Sequence, residues 1–283
     1  MPTLKEIKGR ISSVKSTLKI TSAMKLVASA KLRKAQKDIE SMRPYEAELQ
    51  RILAAAAAGD AGKNPAPEAP DVPAPRVIVA MSSNSSLCGG FNASVIARMR
   101  EERRKGDVVY SIGKKMADAM RRDGFPSPVD FTTLAEHPAY TPCADLAGKL
   151  IEDVAEGRVG EVLLVYNHFV STGKQVPVVE TLLPVSHSEQ SEESAVKLPE
   201  DVILEPSAKE LLEALVPKTV KLKLYAALLD SQAAEHAART VAMQTATDNA
   251  ENLLQELTLQ YNKGRQQKIT SEILDLAGGT ANE

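Results

Sequence analysis

Apolar residues recur along the first part of the chain at spacings that alternate between three and four. Stepping this way from Leu4 lands on Ile7, Ile11, Val14, Leu18, Thr21, Lys25, Ala28, Leu32, Ala35, Ile39, Met42, Glu46, Leu49 and Leu53. Of these fifteen positions only Thr21, Lys25 and Glu46 are not apolar, and neither Gly nor Pro falls between Arg10 and Arg43. A 3.5-residue repeat keeps one stripe turned toward one partner helix, so the pattern predicts a coiled-coil helix about 75–80 Å long. Pro44 is expected to kink it near its end, and five alanines at 54–58 close it.

A counterpart lies at the other end of the chain. Residues 218–276 contain no proline and a single glycine, Gly264, enough for about 85–90 Å of helix. The seam here is looser. It runs Leu222, Tyr225, Leu229, then Ala233, Ala234, Ala237, Ala238 and Val241, then Ala250, Leu254, Leu257 and Tyr261. Small residues let two helices approach closely, which suits an antiparallel crossing. Ahead of this stretch, Ser207 and Glu210 have capping-box spacing. Pro217 is expected in the first turn of a separate, following helix, where its missing N–H costs nothing.

Between the helices the periodicity changes. Residues 59–75 hold five prolines and read as an exposed linker. Strand patterns at 76–81, 108–112, 161–170 and 175–185 are interleaved with helix patterns at 92–105, 114–122 and 141–155. Strands separated by helices predict an open α/β sheet with right-handed crossovers. Residues 186–200 are polar and acidic and read as a loop. The expected fold class is α/β: a long antiparallel coiled coil of the N- and C-terminal helices with an inserted open, Rossmann-like α/β domain. The expected divisions are 1–58, 59–75, 76–185, 186–206 and 207–283.

Composition sharpens the picture in three places. No Trp and only 4% aromatic residues favour packed helices over a β-barrel. A net charge of −2 gives no bulk attraction to nucleic acid or membrane, yet residues 1–37 carry ten Lys and Arg against the single acid Glu6, a balance of +9. That basic face is either an ordinary solvated surface or a surface for an acidic partner. Cys88 and Cys143 form neither a metal motif nor a disulfide framework, and reduced thiols are expected. No secretory signal is visible, and no apolar run approaches the ~20 residues of a membrane span.

Chemistry is sparse. Residues 81–92, MSSNSSLCGGFN, form a strand–loop–helix start that can present N–H groups to a phosphate. The loop lacks the lysine of a phosphate-binding loop, and its two adjacent glycines do not match the dinucleotide pattern. His137, His168, His187 and His236 are scattered, so no cofactor or metal is expected. Residues 20–34 are apolar off the seam as well as on it, at Ile20, Ala23, Met24, Leu26 and Val27. Such a second face meets either a third helix or a surrounding sleeve. Residues 238–249 form a small, weakly polar counterpart.

Five stretches, ITSAMKLVASAKLRK, LCGGFN, EPSAKELLEALVP, EHAARTVAMQTATDNA and ELTLQYNKGRQQKITSEILDL, resemble in this order the gamma subunit of F-type ATP synthases of the bacterial type. One departure stands out: the family often carries Asp-Arg/Lys-Gly before LCGG, where this chain has Asn84, Ser85 and Ser86. The resemblance implies a central rotary shaft without catalytic groups or cofactors. It implies partners in a head of alpha and beta subunits, an epsilon subunit and a membrane rotor ring. It also implies a peripheral location on the cytoplasmic face of the bacterial inner membrane, with no insertion into the bilayer and no nucleic acid. By the same resemblance Met24 and Lys25 face a beta lever loop, and Arg265 and Gln266 match a pair that bonds a beta loop. Arg239, Thr270 and Glu272 belong to subunit-contact motifs, and Glu205 lies near epsilon and the ring. The rival readings are a coiled-coil scaffold with an α/β interaction module, and a small-ligand enzyme built on the loop after the first strand.

Overall fold

The computed structural model describes residues 3–60, 74–184 and 207–279. Both expected linkers lie largely outside these residues, as does Glu205. The first helix, α1, runs Leu4–Asp60, 57 residues with Pro44 inside it. Among the described residues ten elements follow one another: α1, β1 (Arg76–Met81), α2 (Phe91–Glu102), β2 (Val108–Ile112), α3 (Lys114–Arg122), α4 (Thr132–Glu136), α5 (Tyr140–Ala155), β3 (Glu161–Ser171), β4 (Lys174–Leu183) and α6 (Ala208–Gly279).

The helix α6 corrects one expectation. Its 72 residues are unbroken, and Pro217 lies within them and does not open a second helix. The proline forfeits one backbone hydrogen bond, but its flanks are anchored by buried Leu215, Val220 and Leu222. Tertiary burial outweighs the local break.

The two long helices pair antiparallel. Leu4 lies against Gly264, where an added Cβ would sit 3.1 Å from Leu4 Cδ2. The Thr21 and Thr247 hydroxyls share a buried 2.9 Å hydrogen bond, and Lys25 Nζ donates to Gln244 Oε1 at 2.7 Å. The two residue numbers of each facing pair add to 268 or 269, so the register does not slip along this stretch. None of the fifteen seam positions of α1 is exposed. Two of the polar ones therefore find polar partners on α6. On α6 the seam beyond the alanines steps Met243, Thr247, Ala250, Leu254, Leu257, Tyr261, all buried or half-buried. Val241, expected on the seam, is 42% exposed; Met243 takes its place, because the run of small residues hides the phase of the repeat.

The sheet has the order β2-β1-β3-β4. β1 pairs parallel with β2 and with β3. The last pair, β3 with β4, is antiparallel, so this end of the sheet is a hairpin. The connection is only Thr172 and Gly173, too short for the crossover a parallel strand requires. One face of the sheet packs under α2 and α3, through Val95, Met99, Met116 and Met120. The other packs on α5 and on α6 itself, through Leu146, Leu150, Val220, Leu224 and Leu228. The rod helix is therefore one layer of the α/β domain's own core.

Candidate subunit interface

Beyond the α/β domain the rod continues with little covering it. Ile20, Leu26 and Val27 are 59%, 66% and 57% exposed, and among the described residues no third helix covers the second apolar face of α1. Past Gly264, α6 outruns the start of α1 and continues with no other described element beside it. Every residue from 265 to 274 is exposed, including Ile269, Ile273 and Leu274. Unpaired apolar side chains on a single helix mark a surface that an assembly covers.

The expected contact residues fall into three groups. Arg265, Gln266, Thr270 and Glu272 share the exposed single-helix tip. There Thr270 Oγ1 donates back to Gln266 O at 2.9 Å, and Lys268 pairs loosely with Glu272 at 3.7 Å. Their charges and amide therefore face solvent. Met24 and Lys25 sit half-buried farther down the rod. Met24 lines a groove with Val27, Lys31, Leu87 and Lys115, which joins the rod to the loop after β1. The rim combines an apolar floor with cations.

Arg239 belongs to neither group. Its Nη1 donates to Glu235 Oε1 at 2.5 Å, with side chains only 11% and 12% exposed. Its Nη2 reaches the Ser85 and Ser86 carbonyl oxygens, both at 3.5 Å. Burial raises the Glu235 carboxyl, while Arg239 and Lys31 oppose that rise. Burial, then Arg239 and Lys31, push His236 down to about 4, so it is neutral at pH 7. Arg239 thus ties the rod to the loop that replaces the family triplet. The Glu235–Arg239 spacing of four was legible as a helical ion pair, but its burial was not.

That loop is held from within. Asn84 Oδ1 accepts from Lys114 N at 3.0 Å, and Asn84 Nδ2 donates to Thr132 O at 2.7 Å. The remaining N-terminal donors of α3 are taken as well, Lys115 N by Ser83 O and Met116 N by Ser82 Oγ. The close approach requires Gly113, at φ +99°, where a Cβ would lie 2.1 Å from Ser82 O. In an open α/β domain a ligand sits in the crevice at the carboxyl ends of the strands. Here Cys88 and Phe91 from that region pack against Ala234 and Ala238 of α6. The rod fills the part of the crevice between β1 and β3. Among the described residues no group of His, Cys, Asp and Glu side chains is arranged to hold a metal ion.

A two-helix rod sharing its core with a small α/β domain, and reaching well past it, defines the class of a stalk. Comparison with known proteins fixes the family. A sequence family described as ATP synthase matches residues 3–282. The chain is 47% identical to the ATP synthase gamma chain of Bacteroides thetaiotaomicron, with 99% of each covered. It is 37% identical to that of Moorella thermoacetica, covering 99% of this chain and 98% of the relative. In fold it is similar to a chain in the rotor of the Euglena gracilis mitochondrial ATP synthase. That match has TM-score 0.64 and 20% identity, covering 94% of this chain and 98% of the other. The chain belongs to the ATP synthase gamma-chain family.

Proposed function

We propose that this chain is the central stalk of its ATP synthase and acts as a rotating cam. The observation that carries the reading is the rod that outruns its own domain and exposes apolar side chains along its free length and tip. In this reading Ile20, Leu26 and Val27, with the tip residues Arg265, Gln266, Thr270 and Glu272, bear on a surrounding head of alpha and beta subunits. Met24 and Lys25 face an acidic loop of a beta subunit across the Lys31 and Lys115 groove. Arg239 works from inside, holding the loop at 84–86 to the rod. The α/β domain and the segment with Glu205 meet an epsilon subunit and a membrane rotor ring, on the cytoplasmic side of a bacterial membrane. Among the described residues no helix is long and apolar enough to cross that membrane.

The stalk carries no reacting group in this reading; nucleotide chemistry belongs to the head. The spent donors of α3 and the filled crevice speak against a ligand in the loop after β1. The mechanism is a population shift. Driving a site from mostly open to mostly closed, 1:99 to 99:1, takes about 5.5 kcal/mol of differential interaction. A symmetric rod would treat all sites alike. This rod is lopsided in charge: α1 carries the +9 of residues 1–37, whereas 241–276 hold three cations against five acids. Turning it presents a different face to each site. The test is to purify the native complex and identify its subunits by mass spectrometry, then to rebuild it without this chain. Co-purification with an ATPase head and loss of ATP-driven ion pumping on omission are expected. A head that pumps normally without the chain would reject the reading.

A further inference from the structure

A cam transmits only what its foot can grip, and two side chains of α6 grip the sheet in a way apolar packing cannot. β3 outruns β1, whose pairing ends at Val165. It therefore leaves main-chain groups without a strand partner on that side. Asp230 Oδ1 accepts one of these, Phe169 N, at 3.1 Å, and its Oδ2 lies 2.6 Å from His168 Nδ1. A carboxylate only accepts, so the imidazole donates through Nδ1. Seven residues earlier, and so on the same face of the helix, Lys223 Nζ donates to Thr181 O of β4 at 2.9 Å. Thr181 pairs with Leu163, so the two grips lie six residues apart along β3. Between them the helix presents Ala226 and Ala227, lining the cleft that α1, α6 and the hairpin enclose.

Buried apolar faces are non-directional and allow one layer to slide on another, whereas a charged side chain bonded to a main-chain group fixes position and angle. We propose that Lys223 and Asp230 form a two-point clamp that keys the rotor's rod to its α/β domain. The clamp makes both of them positioning residues for torque transfer. The inference rests on the central-stalk reading for its consequence, though not for its geometry. One grip alone leaves a pivot; two, on neighbouring strands, remove both sliding and rotation of α6 against the sheet. Both anchors are backbone groups, so the clamp does not depend on which side chains occupy those strand positions.

The test uses the assembled ATP synthase in sealed vesicles, with Lys223→Met, Asp230→Ala, the pair together, and Lys223→Arg as the conservative control. Each lost charge-assisted bond raises the population of a displaced register about tenfold or more. Subunit yield and ATP hydrolysis per assembled complex are expected to stay within about twofold of the parent in every variant. Ion pumping per ATP should fall modestly in each single variant and collapse in the double. Lys223→Arg should retain it. A purely packing role predicts reduced yield with unchanged pumping per ATP in what assembles, and that result overturns the clamp. A second measurement uses the isolated full chain, with spin labels at Lys174→Cys and Glu251→Cys, both exposed positions. The parent should give one narrow distance and the double variant a broad one. An unchanged narrow distance overturns the clamp even where the chain proves not to be the rotor. Normal pumping by a complex lacking the chain instead rejects the central-stalk reading alone.

Discussion

Replacing Arg239 with methionine tests the buried Glu235–Arg239 ion pair of α6. The substitution keeps the bulk of the stem and removes the guanidinium, leaving the Glu235 carboxylate about nine-tenths buried. Removing one member of a buried ion pair costs about 3–5 kcal/mol, because the survivor stays desolvated without compensation. The contacts at 3.5 Å to the Ser85 and Ser86 carbonyls are long and add little. At pH 7 we therefore expect a loss of about 3–4 kcal/mol in urea unfolding of the full chain followed by circular dichroism. The pH dependence carries a sign. Burial already holds the Glu235 carboxyl above its ordinary 4.5, and without Arg239 it rises further. A carboxyl raised in the folded state takes up its proton more readily there than in the unfolded chain. The deficit is thus largest above the folded pKa and shrinks as pH falls toward 4.5, by about 1.4 kcal/mol per unit. His236 adds to the recovery, since Arg239 is among the charges that press it down to about 4. Glu235→Gln with Arg239→Met should restore most of the loss, as no charge is then stranded. A deficit below about 1 kcal/mol that does not change between pH 7 and pH 5 would show that water reaches the pair, and the tie would be of the weak exposed kind.

Gly113→Ala should cost several kcal/mol, or prevent folding, because φ +99° and a Cβ 2.1 Å from Ser82 O cannot both be relieved; the check is the urea midpoint against Gly106→Ala, where nothing lies within 4 Å. Thr21→Val alone should cost only about 0.5–1.5 kcal/mol, because the Thr247 hydroxyl still donates to Met243 O at 2.8 Å, and adding Thr247→Val should cost little more; fully additive losses would mean the two do not meet. Cys143, whose thiol burial pushes up to about 12, should resist iodoacetamide at pH 8 in the folded chain and react at least about tenfold faster in urea. Equal rates in both states would contradict its burial.

What the sequence revealed and what it hid divide along physical lines. The seam of α1 was legible because its period is carried by large side chains at every turn, and every one of its positions avoids exposure. Along α6 the same period passes through alanines, whose size gives no phase, so Val241 was chosen and Met243 and Thr247 were missed. Pro217 was read by its local preference, while buried residues on both sides carry the helix through it. The antiparallel β4 was unreadable because pairing direction is a property of two strands and their connection. The five-residue helix α4 is too short to show a period at all. Among the residues expected at subunit contacts, the tip positions rest on the resemblance and lie exposed. Arg239 was grouped with them because a motif gives no depth, and its guanidinium is turned inward. Asp230 and Lys223 gave no signal, since their partners are main-chain atoms of strands some forty to sixty residues earlier.

The constant sum of facing residue numbers, 268 or 269 from Leu4 with Gly264 to Lys25 with Gln244, makes the two ends of the gene length-coupled. An insertion in one helix alone displaces every later pair and turns its seam out of contact. A matched insertion of seven residues in each helix preserves the seam, because seven residues are two turns of the 3.5 repeat. It lengthens the rod by about 10 Å and turns the tip against the foot by about 20–25°, the supercoil's share for a pitch of about 150 Å. A matched insertion of three or four residues moves the stripe by a single turn and disturbs the repeat as a stutter or stammer does. Rod length in this fold can therefore vary in whole heptads, and each step carries a fixed turn of the tip, so a longer shaft keeps its seam and is re-timed by a set angle.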